Sequence, residues 1–269
     1  PFNGKQDLEN GIVSFIGEPD KRIKEDYLRI LRYLRFFINY SKHQHSPENI
    51  RKLKMNISGI LKLSKERLLD ELKKITKLEI LERLSKDKIS SEIILMIFPE
   101  LKNIKIFSRL NSIQKDLLKE KDFIFLLSLM IIDDTDNTDY FLYKFSISKK
   151  DQKRIKSIDN FFKEKINLKS FTENDMDKIL YYQGKQVVTD ILCFKIIKFK
   201  KQDNSLKKLI KHYEKKVIPI MPVNADFLMK KYKFPEGKKL GNKLKIIEDL
   251  WVKNNFKISN KDVENIINS

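Results

Sequence analysis

Hydrophobic positions recur along most of this chain with the spacing of a helix face. Leu28, Leu31, Leu34 and Ile38 fall at i, i+3, i+6 and i+10, so the period predicts a helix from about Ile23 with one apolar face. Ser46-Pro47-Glu48 reads as a helix start, with Ser46 as N-cap and Pro47 in the first turn. Ser64-Lys65-Glu66-Arg67 starts another, carrying Leu68, Leu69, Leu72 and Ile75. Pro99 ends the apolar run Ile93–Phe98. Residues 115–132 predict one strongly apolar helix, closed by the acidic turn Asp133-Asp134-Thr135-Asp136. Further helices are predicted at about 148–166, 172–182 and 185–200, and from Leu240 through Trp251. Two stretches break the rhythm. Gly11 and Gly17 bracket Ile12-Val13-Ser14-Phe15-Ile16, which reads as a short strand. Pro219 and Pro222 mark a boundary. The expected class is all-α, an elongated multi-helix array with that strand at its N-terminus.

Composition narrows the chemistry. Among 269 residues, Lys and Arg total 56 against 37 for Asp and Glu, a net charge of +19. With 41% hydrophobic residues the chain can still bury a core. Such a charge suits a polyanion, nucleic acid first, although a lysine-rich solvated surface has the same composition. The single cysteine, Cys193, excludes an internal disulfide and reads as a core thiol. No apolar run reaches the roughly 18 residues of a membrane span, so no transmembrane helix is expected; the expected location is the cytoplasm.

The most informative stretch is Arg22-Ile23-Lys24-Glu25-Asp26-Tyr27-Leu28-Arg29-Ile30-Leu31-Arg32-Tyr33-Leu34-Arg35. On a helix Asp26 and Arg29 would sit side by side, with Arg32 on the same stripe and Arg35 about half a turn away. A carboxylate beside a guanidinium reads cytosine and adenine alike, accepting from the exocyclic amine and donating to the bare ring nitrogen. Uracil and guanine reverse that pattern and would leave buried polar groups unpaired. The same spacing also describes ordinary surface ion pairs.

Context on both sides decides between these. Pro1-Phe2-Asn3-Gly4-Lys5-Gln6-Asp7-Leu8, Ile16-Gly17-Glu18-Pro19 and the Glu25-Asp26-Tyr27-Leu28-Arg29-Ile30-Leu31-Arg32 helix together resemble bacterial class II tRNA nucleotidyltransferases (CCA-adding enzymes) and the related poly(A) polymerases. Ser64–Leu72 is similar to the family motif that braces the nucleotide-reading helix, Ile97–Leu101 to its neck–body junction, and Phe234–Gly241 to its C-terminal segment. Lys5 stands where the family pattern has a second glycine. The resemblance implies a head remnant at 1–20, a neck at 21–101, a helical body at 102–216 and a tRNA-binding tail at 217–269. It implies that Asp26 and Arg29 bind the base of CTP or ATP, that Arg32 and Arg35 complete the site, and that Arg22 and Glu25 support it. It also implies tRNA as partner and Mg²⁺ as cofactor. The family's metal carboxylates lie in a catalytic head that this sequence does not include, so the chain alone is expected to bind without catalysing. A poly(A) polymerase, or a headless non-catalytic RNA-binding helical protein, are the alternatives.

Lys230, Lys231, Lys238, Lys239 and Lys243 are candidate contacts to tRNA phosphates, or else a solvated helix face. Asp134 and Asp136 have the spacing of a metal pair but read as a solvated turn. His43 and His45 read as a solvated or RNA-facing loop. Tyr181-Tyr182-Gln183-Gly184-Lys185 offers either base stacking or a core contact with a helix break.

Overall fold

The computed structural model describes residues 4–164, 172–199 and 204–269. The first three residues of the N-terminal motif, and the ends of the helices expected at 148–166 and 185–200, lie outside them. Among the described residues the regular structure is helical, with no strand. The chain divides into two compact units, one of Pro1–Ile166 with Asp190–Asp203 and one of Asn167–Thr189 with Asn204–Ser269.

The first unit begins with α1 (Gly4–Asn10), α2 (Pro19–Glu25), α3 (Arg29–Tyr40) and α4 (Pro47–Met55). A 3-10 turn at Ile57–Lys62 leads to α5 (Lys65–Ile75), α6 (Leu78–Lys86) and α7 (Lys88–Ile97). A second 3-10 turn, Ile104–Arg109, precedes α8 (Ser112–Leu118), α9 (Phe123–Ile131), α10 (Asn137–Lys144) and α11 (Lys149–Glu164). Helix α12 (Glu173–Phe199) gives its residues from 190 onward to this unit and its earlier ones to the second. The second unit adds α13 (Asn204–Lys215), α14 (Ala225–Tyr232), α15 (Lys238–Lys253) and α16 (Asn260–Asn268).

The apolar stripe of α3 is the seed of the first core. Ile30, Leu31 and Leu34 are fully buried, and the helix packs on α5 and α6. Ser64 caps α5 by accepting from the Arg67 amide at 3.4 Å, as its position in the motif predicts. Ser46 stands at the N-cap of α4 with Pro47 in the first turn, but its hydroxyl makes no cap bond. In the second unit Val223, Leu228, Leu240, Ile247 and Val263 form the core that α14, α15 and α16 share. Cys193 is buried, as expected.

Four expectations need correction. Ile12–Ile16 is not a strand. It alternates in exposure, yet no second strand pairs with it among the described residues, and it is anchored instead by Phe15 stacking on Tyr33 at 5.2 Å. Gly11 fixes its start, since its φ is +67° and a Cβ there would lie 2.6 Å from Lys42. The helix expected from Ile23 is interrupted at Asp26–Leu28, described below. The helix expected over 115–132 is two, because Asp122 turns the chain and caps α9 by accepting from the Phe125 amide. Finally, His45 is a core residue. It is 8% exposed, stacks on Phe37 at 3.5 Å, and bonds Ser90 at 3.0 Å and Asp87 at 3.2 Å. A polar residue between loop signals gave no sign of that burial.

Candidate nucleotide-binding site

The corner between α2 and α3 explains why Asp26 is not a helix-surface residue. Its backbone is extended, with φ −154° and ψ 105°. Its carbonyl accepts from the Arg29 amide at 3.0 Å, and its carboxylate Oδ1 accepts from the Leu28 amide at 3.1 Å. A short acidic side chain that bonds its own backbone two residues on competes with helix formation, so the two helices are separated here. Tyr27 locks the corner. Its ring lies on Gly59, at a place where any Cβ would be 2.0 Å from the ring.

The corner aims Asp26 across at α5. Arg67 Nη2 donates to both its carboxylate oxygens, at 3.1 and 3.0 Å. Arg32 Nη1 stands 3.9 Å from Oδ2. Asp26 and Arg29, expected side by side on one helix, are not paired. Arg29 Nη1 instead donates to Glu25 at 2.6 Å and to the Arg22 carbonyl at 2.7 Å. Arg22 reaches the same Glu25 oxygen at 2.5 Å. The Arg29 and Arg22 guanidiniums, in that order, hold the Glu25 carboxyl below its ordinary range. Arg35 turns away from this group. Its Nε donates to the buried Glu71 at 2.5 Å, and its guanidinium lies over Phe36 at 4.4 Å.

The structure therefore brings Asp26, Arg32 and Arg67 together and sets Arg22, Glu25 and Arg29 beside them. Arg35 belongs to the bracing contact with α5. Arg67 and Glu71 are the residues that the reading of α3 alone left out. The signal for them lay in the Ser64–Leu72 motif, from which Arg67 bonds Asp26 and Glu71 accepts from Arg35.

The remaining hydrogen-bonding capacity has chemical content. Each carboxylate oxygen carries two lone pairs. Oδ1 of Asp26 uses both on Leu28 and Arg67, whereas among the described residues Oδ2 accepts only from Arg67 within hydrogen-bond distance. One lone pair of Oδ2 is thus open to an external N–H. A guanidinium has five N–H donors, and the two Arg29 bonds are both made by Nη1. An acceptor and a donor stand ready at the same corner.

Other candidates do not join this group. Asp133 is held by Thr135 and by Lys102 at 2.9 Å, and Asp134 has a left-handed backbone in the same turn. Among the described residues there is no group of three or more His, Cys, Asp or Glu side chains that could hold a metal ion. Tyr181 packs against Trp251 and Phe256 and donates to Glu248 at 2.6 Å, next to the helix break at Gly184. Burial, and then the Glu248 bond, push its phenol up to about 12. It is half-buried in the second unit. Lys230, Lys231, Lys238 and Lys239 are exposed there, while Lys243 donates to the Ile266 carbonyl at 2.6 Å and so caps α16.

No family model matches the chain. Over 76 residues, 28% of its length, it is 47% identical to human mitochondrial CCA tRNA nucleotidyltransferase 1, of which that stretch is 18%. Over 193 residues, 72% of its length, it is 25% identical to the CCA-adding enzyme of Staphylococcus saprophyticus, covering 46% of that protein. In fold it is similar to the Bacillus stearothermophilus CCA-adding enzyme solved in complex with CTP. That match has a TM-score of 0.61 and 15% identity, over 94% of this chain and 64% of the other. The chain spans less than half the length of the human and staphylococcal relatives. Among the described residues no helix is long and apolar enough to cross a membrane. Over part of their length the chain is similar in sequence and fold to CCA-adding tRNA nucleotidyltransferases.

Proposed function

We propose that this chain is the portion of a CCA-adding tRNA nucleotidyltransferase that reads the base of the incoming CTP or ATP and holds the tRNA. The observation that carries this reading is the corner at Asp26, where a braced carboxylate with one open lone pair stands beside an arginine with donors still available. Oδ2 of Asp26 would accept from the exocyclic amine of cytosine or adenine, and Arg29 would donate to the adjacent bare ring nitrogen. Arg32 faces the corner from the next turn of α3 and would take phosphate oxygens. Arg22 and Glu25 position Arg29, and Arg35 with Glu71 holds α3 against α5. In this reading residues 1–20 are a remnant of the catalytic head, 21–101 form the neck, 102–216 the body and 217–269 the tail. In this reading, too, the magnesium carboxylates belong to the head.

Binding of CTP, ATP, UTP and GTP to the chain tests the reading. CTP and ATP should bind more tightly than the other two. Asp26→Ala should remove that preference, worth about 1–3 kcal/mol for a buried polar mismatch, and leave tRNA affinity in place. Equal affinity for all four nucleotides in the unmutated chain would overturn it.

A further inference from the structure

A cavity of about 250 Å³ opens in the first unit beside the second 3-10 turn, on elements other than those that carry Asp26, Arg29, Arg32 and Arg67. Lys102, Lys105 and Arg109 line it, and no carboxylate does. Lys102 is held by Asp133 at 2.9 Å. Lys105 and Arg109 are exposed and make no ion pair among the described residues. Lys198 adds a positive charge nearby. It donates at 3.1 Å to the Ile132 carbonyl, which also accepts at 2.6 Å from Asn103 of the cavity wall. The floor is apolar, with Ile197 buried and Ile106 and Leu110 half-buried. Exposed lysines by themselves are ordinary on a chain with a net charge of +19. An apolar recess rimmed by one sign of charge is not. Two other cavities, along α6, are both lined by Glu79 and Glu82 as well as by cations.

We propose that this cavity binds a small organic phosphate, a phosphate monoester with a compact apolar body. The planar fork of Arg109 and the ammonium of Lys105 take the phosphate dianion, and both are free to do so. Ile106, Leu110 and Ile197 cover the carbon body. Asn103 spends its Nδ2 on Ile132, which leaves its Oδ1 to accept from a hydroxyl of the ligand. Shape favours such a molecule over an RNA strand. A phosphodiester backbone is charged along its length and runs on in both directions, so it suits an open basic groove. A recess with an apolar floor takes the end of a molecule instead. Ligand sites commonly enclose about 300–1,000 Å³. This cavity falls at the small end of that range, which suits a single ring or a short chain. The site is independent of the Asp26 corner, and its occupant need not be a nucleotide.

The probes are phenyl phosphate, inorganic phosphate, phenol and a short RNA duplex, each titrated calorimetrically into the intact chain. Phenyl phosphate should bind about tenfold more tightly than inorganic phosphate, because part of its ring leaves water. Phenol, which lacks the charge, should bind more weakly than phenyl phosphate. Saturation-transfer NMR should show the ring protons of phenyl phosphate in contact with the protein. Lys105→Gln with Arg109→Gln should weaken phenyl phosphate binding roughly tenfold or more, through loss of two charge-assisted contacts. Both side chains are exposed, so the urea midpoint should stay where it is. Arg109→Lys should recover part of the affinity. Parent chain that binds no phenyl phosphate, or a double glutamine variant that binds it like the parent, overturns the site. Equal affinity for inorganic and phenyl phosphate overturns the role of the apolar floor. RNA affinity that falls in the double variant, with no phenyl phosphate bound by the parent, assigns these cations to RNA phosphates and overturns the small-molecule site.

Discussion

Gly59 offers the sharpest test of how the Asp26 corner is built. A Cβ on Gly59 would lie 2.0, 2.1 and 2.3 Å from three atoms of the Tyr27 ring, where ordinary contact begins at 3.4 Å. Relief of the worst clash needs a shift of about 1.4 Å (3.4 − 2.0) in the ring or in the Ile57–Lys62 turn. Both lie in a packed region, and interiors transmit such strain rather than absorb it. Overpacking of this kind costs about 1–3 kcal/mol. Alanine also restricts the unfolded chain, which offsets about 0.4–1 kcal/mol. Gly59→Ala should therefore destabilise the first unit by about 1–2 kcal/mol. Urea unfolding followed by far-UV circular dichroism measures this, while the single tryptophan, Trp251, follows the second unit. The control is a double-mutant cycle. With Tyr27→Ala in place the clash is gone, and Gly59→Ala should become neutral or slightly stabilising. Because Tyr27 sits between Asp26 and Leu28, Gly59→Ala should also weaken CTP binding. An unchanged midpoint, or an equal destabilisation with and without the Tyr27 ring, would refute the locking role of this packing.

Three further outcomes follow from the same architecture. Arg35→Met should cost about 3 kcal/mol, because it strips the closer partner from a fully buried carboxylate and leaves Glu71 to Lys74 at 3.2 Å; Arg35→Met with Glu71→Met should restore much of the urea midpoint. Burial holds the His45 imidazole below its ordinary 6.5 against the opposing pull of Asp87, so the native state releases the proton first. The stability it contributes is intact above pH 6.5 and declines as pH falls from there through the lowered value, and His45→Leu should flatten that part of the stability–pH curve. In the tail, Lys230→Gln with Lys238→Gln and Lys239→Gln should lower tRNA affinity and reduce its salt slope by about one unit for each phosphate no longer neutralised. Lys243→Gln should instead lower stability, by uncapping α16; a stability effect from the first three and a salt effect from the last would reverse these roles.

Period and caps were legible without coordinates wherever one physical signal dominated. The apolar stripe of α3, the Ser64 cap and the break at Gly184 all follow from local chemistry, and a chain with this pattern has few ways to be anything but helical. The family motif likewise fixed which residues to watch, because it is a run of residue types at set spacing. What the sequence did not determine is what each charged side chain would touch. Asp26 and Arg29 at spacing three suggest a pair, yet an Asx-type bond bends the chain between them and sends the carboxylate to Arg67, 41 residues on. Arg35 finds Glu71 at a separation of 36, and His45 finds Asp87 at 42. Long charged side chains choose partners by the geometry of packed helices, and that geometry is decided by burial of the apolar stripes rather than by the charges themselves. The sequence determined most of the helices and named the charged candidates on α2 and α3; only tertiary packing decided which of them meet, and which oxygen of Asp26 is left open.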